Sequence, residues 1–188
     1  AEIQYVLARD VEAVTIEILD AAGKTVRRVV GSAGRAPAIE GAVEGRGPRP
    51  SDAPGRKKGA HRYVWDLRYD GATAVEGVEP GALPADLGPL ALPGTYRVRV
   101  SAAGARRTVR LTIEMPSEAE GVSLDGLRRQ LALALQVRDL TSAANRAVTT
   151  IRDLKAQIAA RVPQAKSPVI GLAADATSRA LSEVESEL

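Results

Sequence analysis

"HRYVWDLRYDG", residues 61–71, decides how the first half of this chain is read. It holds the single His, the single Trp and two of the four Tyr of a 188-residue chain that has no Phe. Two readings compete for it. In one, His61 is a general base partnered by Asp66, and the rings are a platform for a sugar or a nucleobase. In the other, the rings are core. The period favours core, because Tyr63, Trp65 and Leu67 fall on one face of an extended chain and Arg62, Val64, Asp66 and Arg68 on the other. A base also needs a nucleophile or an orienting group within reach, and no motif supplies one. Asp66 and Arg68, two apart on the wet face, are expected to form a surface ion pair.

The neighbouring segments alternate in the same way. "VTIEIL" puts Val14, Ile16 and Ile18 on one side, "DAAGK" supplies a turn at Gly23, and "TVRRVV" returns as the second arm of a hairpin. "PGTYRVRV" sends Tyr96, Val98 and Val100 inward, Gly104 turns the chain, and "RTVRLTIEM" brings back Val109, Leu111 and Ile113. With a short strand near Gln4–Leu7, this makes about six strands, each with one wet face. The expected fold is an Ig-like or fibronectin-III-like antiparallel β-sandwich over residues 1–115. Its core is expected to be built on Tyr63, Trp65, Leu67, Tyr96, Val98 and Val100. Two Gly/Pro/Ala-rich stretches, 31–60 and 70–94, interrupt it as long loops that are mobile, functional or docked on a neighbour.

Beyond Pro116 the period changes from two to between three and four. Ser123 is placed to cap a helix over about 123–162, whose stripe runs through Leu127, Leu131, Ala134, Val137, Leu140, Ala144, Val148, Ile151, Leu154, Ile158 and Val162. Pro163 and Pro168 are expected to end it. Ile170, Ala173, Thr177, Leu181, Val184 and Leu188 then repeat the spacing in a second helix over about 170–188. Residues 116–188 thus read as an antiparallel helical hairpin. Some 40 helical residues extend for about 60 Å, too long for their apolar stripe to stand alone. Leu131, Leu140, Ile151 and Leu181 are the expected partner surface, and a homodimer through the helices is its simplest cover.

Composition narrows the function classes. Apolar residues make up 45% of the chain, as in a globular protein. The net charge of +3, from 26 basic and 23 acidic side chains, exerts little pull on nucleic acid. The basic stretch "GRGPRPSDAPGRKKG" (45–59) has no interleaved aromatics for base stacking and reads as a solvated loop. With no Cys and one His there is no zinc or copper signature, and no EF-hand, P-loop or dinucleotide fingerprint implies a cofactor. No apolar run is long enough for membrane insertion. Ser contexts of nucleophilic enzymes are missing as well, so no catalytic, cofactor-binding or metal residue is expected. A chain that opens on Ala1 with its only Met at 115 reads as a piece of something longer.

"YVWDLRYDGA", "LPGTYRVRVSAAGARRTVRLTI" and "LQVRDLTSAANRAVTTIRDLKAQI", in that order, resemble the C-terminal region of bacterial sortilin-like or sialidase-like proteins. These carry BNR/Asp-box β-propellers and are classed with glycosyl hydrolases. The likeness spans about residues 4–160 and sets a small Ig-like domain, similar to that of the flagellar hook-capping protein, before a helical segment. It implies a preceding propeller as partner and an extracytoplasmic location. It carries over no catalytic residue, since the Asp-box signature S-x-D-x-G-x-T-W is absent; "SLDGL" (123–127) has the wrong spacing. The resulting expectation is a non-catalytic accessory or interaction module. A carbohydrate- or protein-binding module using Tyr69, His61 and the 70–94 loop comes second, and a glycoside hydrolase fragment third.

Overall fold

The computed structural model describes residues 1–32, 53–75, 87–115, 121–165 and 167–187. It is a mixed fold of antiparallel β-sheets in a sandwich followed by two helices. The chain divides into two compact units, one of residues 1–70 and 88–132, the other of residues 71–87 and 133–188. The units do not divide at 115/116: residues 71–87 fall with the second unit, and the first unit runs on to residue 132, into the start of the long helix.

In the first unit, strands β2 (Ala13–Leu19), β3 (Thr25–Ser32), β7 (Gly94–Ala102) and β8 (Ala105–Ile113) form one sheet in the order β3-β2-β7-β8. β1 (Glu2–Leu7) pairs with β4 (Gly59–Val64), and β5 (Arg68–Asp70) pairs with β6 (Leu87–Leu90). Alternation does the sorting on β2: Val14, Ile16 and Ile18 are fully buried, while Glu17 faces out and meets Arg99 directly across on β7 at 3.4 Å. The β2–β3 turn closes as its sequence foretells. Gly23 takes φ +87°, and the Asp20 carboxylate accepts the Lys24 N–H at 2.8 Å.

Trp65, Tyr63, Tyr69, Tyr96 and Val98 complete this core with Ile3, Leu7, Leu19 and Val26. Trp65 stands edge-on to Tyr96, ring centroids 5.7 Å apart, and its indole N–H donates to the Arg68 carbonyl at 2.8 Å. The Tyr96 hydroxyl donates to the Leu92 carbonyl, four residues upstream, at 2.7 Å. That bond is a tyrosine corner of the kind found in immunoglobulin-like sandwiches.

Three sequence expectations are corrected here. Leu67 is only half-buried, because φ +61° puts it in a turn between β4 and β5; Tyr69 enters the core instead. Val100 is also half-buried, since nothing among the described residues covers its end of β7 fully. The 70–94 stretch holds β6, which contains Pro89 and, among the described residues, pairs only with β5. β6 comes so close that a Cβ on Gly88 would lie 2.0 Å from the Tyr69 carbonyl oxygen. Of the 31–60 loop, residues 33–52 lie outside the described residues.

In the second unit, α1 (Leu124–Ala165) belongs in large part and α2 (Pro168–Glu187) entirely. The Ser123 Oγ accepts the Gly126 N–H at 3.3 Å, the expected cap. Pro163 does not end α1, which runs on to Ala165. Pro168 opens α2 at its first position, where its missing N–H has no consequence.

Candidate interaction surface on the helices

The hairpin is antiparallel, fixed by charge. Glu185 on α2 takes Arg152 at 2.8 Å and Lys155 at 3.2 Å, and Lys155 also donates to the Ser182 hydroxyl at 2.8 Å. These two cations hold the Glu185 carboxyl below its ordinary value, Arg152 contributing most.

The covered side of α2 meets the expected stripe only at Leu181. Gly171, Ala174, Ser178, Leu181 and Glu185 are half-buried, whereas Ile170, Ala173, Thr177 and Val184 are exposed. The register is one residue off because small side chains, and the Glu185 ion pairs, mark the close-approach face. Hydrophobicity alone points to its neighbour.

α1 is covered on two different sides along its length. Toward its C-terminal end Val148, Ile151, Ile158 and Val162 are shielded, Ile151 to 7% exposure. Nearer its start the shielded residues are Leu131, Ala134, Leu135, Arg138, Ser142 and Asn145. Ser142 is nine residues before Ile151, about two and a half turns, and so points the opposite way. Residues 71–75 lie against that second side: the Thr73 N–H donates to Ser142 Oγ at 3.1 Å, and Asn145 Nδ2 donates to the Thr73 carbonyl at 2.6 Å. These three polar residues were invisible to a reading that followed apolar spacing. Ser142 and Asn145 breaking an Ala-rich run were their one signal.

What remains open is the continuation of the Ile151 stripe. Leu133, Val137, Leu140 and Ala144 fall within about 40° of Ile151 on the helix wheel. The first three are exposed, Leu140 to 71% and Leu133 to 62%, because Glu185 near the end of α2 already stands opposite Arg152. The four residues expected to form one surface therefore separate. Leu140 and Ile151 share the stripe, Leu181 half-covers its face of α2, and Leu131 lies on the far side of α1.

The aromatic stretch forms no such surface. His61 stacks on Tyr5 at 5.2 Å and its Nε2 meets the Lys57 carbonyl at 2.6 Å, while Gly55 packs so tightly on the ring that a Cβ there would sit 2.2 Å from Nδ1. The imidazole pins the turn before β4. Asp66 does not pair with the Arg68 side chain; its carboxylate accepts the Arg68 backbone N–H at 3.1 Å, and the guanidinium reaches the Gly88 carbonyl at 2.9 Å. Tyr69, a ring the binding-module reading needs exposed, is 8% exposed. In the basic stretch, Lys57 pairs with Asp10 at 2.9 Å and Arg56 donates to the Glu12 carbonyl at 3.3 Å; Arg46 and Arg49 lie outside the described residues.

Among the described residues no group of three or more His, Asp or Glu is disposed to hold a metal, and no helix is long and apolar enough to cross a membrane. Comparison with protein-family models, with curated proteins and with solved structures gives no match.

Proposed function

We propose that the chain is a non-catalytic accessory module of a larger protein, and that its helical arm is an association surface. The observation that carries this reading is the uncovered Leu133–Val137–Leu140 stripe. It continues, in line, the stripe that α2 covers farther along, so its geometry already suits a helix. A second copy is the simplest occupant: two such stripes crossing antiparallel near Val137 would bury each other's leucines. The resemblance to propeller-bearing proteins supports a place behind such a domain in an exported protein.

Light scattering over a concentration series tests the association. The expected result is a dimer that Leu133→Asp with Leu140→Asp returns to monomer while the melting temperature holds. A wild-type monomer at every concentration would end the homodimer reading.

A further inference from the structure

The sandwich leaves a second surface open, in the first unit, whereas the Leu133–Val137–Leu140 stripe belongs to the second unit. Among the described residues β8 has a strand neighbour only in β7, and β1 only in β4. Between these two strands lies a groove of about 500 Å³. Ile3, Leu7, Val98, Val100 and Val109 give it an apolar lining. Val109 is 60% exposed, and β8 is exposed from Ala105 through Arg110. A full-length edge strand with a bare apolar inner face is a template for pairing with another chain.

Charge selects the occupant. Arg107 stands opposite Val100, and Val109 opposite Val98, so the Arg107 guanidinium rises from the same face as the core residues. Arg9, Arg106 and Arg107 line the groove, and none of them makes an ion pair among the described residues. A second copy pairing edge to edge would bring the outer-face Arg106 and Arg110 against the same two residues, a like-charge repulsion. An acidic chain would be drawn in.

We infer that the groove between β1 and β8 accepts an extended segment of another polypeptide, apolar residues alternating with carboxylates, as an added strand on β8. Backbone pairing supplies the register, Val98, Val100 and Val109 receive the apolar side chains, and Arg106 and Arg110, on the other face of β8, receive the carboxylates. This site uses the sheets alone and stands whether or not the helices associate.

The test is fluorescence anisotropy with a labelled peptide of about nine residues, matched to the length of β8, in which valine alternates with glutamate. Two control peptides accompany it, one with lysine for glutamate and one N-methylated at alternate amides. Saturable binding is expected that falls about tenfold or more in Arg106→Glu with Arg110→Glu, and that both controls lose. Absence of saturable binding overturns the proposal, and so does equal binding of the lysine peptide. Equal binding of the methylated peptide rules out strand addition. A wild-type dimer that the double variant dissolves would make a second copy the occupant. Should the double variant lose its cooperative melt, Arg106→Gln takes its place and the peptide controls decide.

Discussion

The two units are built from similar fractions of apolar residue but bury them very differently. β2, seven residues long, buries Val14, Ile16, Ile18 and Leu19. α1, with 42 residues, buries Ser142 and Ile151, and α2 buries none. β2 stands at the centre of its sheet, and its inner face is covered along its whole length. A long helix in a two-helix hairpin is covered only where its partner lies, and its apolar stripe continues past that cover. The sandwich unit thus carries most of its stability inside itself, its β8 edge apart, while the helical unit displays apolar surface along α1 that another surface would shield.

The sharpest way to break that comparison is to remove the centre of the sandwich. Trp65→Ala deletes a fully buried ring, its contact with Tyr96 and its bond to the Arg68 carbonyl. A loss of about 3–5 kcal/mol in denaturant unfolding is expected. A variant as stable as wild type would mean the rings do not hold the core.

The helical counterpart is a pair of truncations on one stripe, three turns apart. Ile151→Ala, at 7% exposure, is expected to cost about 2 kcal/mol, and Leu140→Ala, at 71%, less than about 0.5 kcal/mol. Equal costs in dilute protein would show Leu140 to be covered in solution, and would replace the contrast between the units with a shared core.

Most of the sandwich was legible because a period of two shows itself in short strands. β2, β3, β7 and β8, the Gly23 turn and the Ser123 cap all followed from spacing and turn chemistry. β6 was not legible, since "LGPL" joins Gly and Pro to two leucines without alternation and is a strand only because β5 lies beside it. The helix positions were legible, but not which side of each is covered. That depends on where α2 lies along α1 and on the docking of Thr73, both long-range facts. The Arg107 groove was not legible for a related reason: alternation places Val109 inward, and it does not show that, among the described residues, no sheet stands over it.

A smaller effect separates the units by pH. Burial, with the neighbouring Tyr69 adding to it, pushes the Tyr96 hydroxyl from 10.0 up to about 12, and burial raises Tyr63 as well. Below pH 10 folded and unfolded chains both keep these protons, and stability does not depend on them. Between about 10 and 12 the unfolded chain releases the Tyr96 proton while the folded one retains it, so stability falls as pH rises. Urea unfolding followed by Trp65 fluorescence is expected to show that alkaline loss, reduced in Tyr96→Phe. The helices contain no Tyr, so helical circular dichroism of residues 121–188 alone, if they fold, is expected to lack it.

The smallest expected effect runs the other way, and it lies beside the open edge. β7 and β8 are joined by Ala103 and Gly104 alone, both with positive φ, +47° and +79°. Both central positions of such a two-residue turn need the left-handed region, which Gly or Asn enters easily and a Cβ-bearing Ala does not. Ala103→Asn is therefore expected to raise sandwich stability by about 0.5–1 kcal/mol, read as a higher unfolding midpoint at unchanged slope. The turn fixes the register that sets Arg107 opposite Val100. If that register holds the groove in shape, the same variant also binds the acidic peptide at least as tightly as wild type. A loss of stability would mean that the turn has another conformation in solution, and the placement of Arg107 over the groove would have to be redrawn with it.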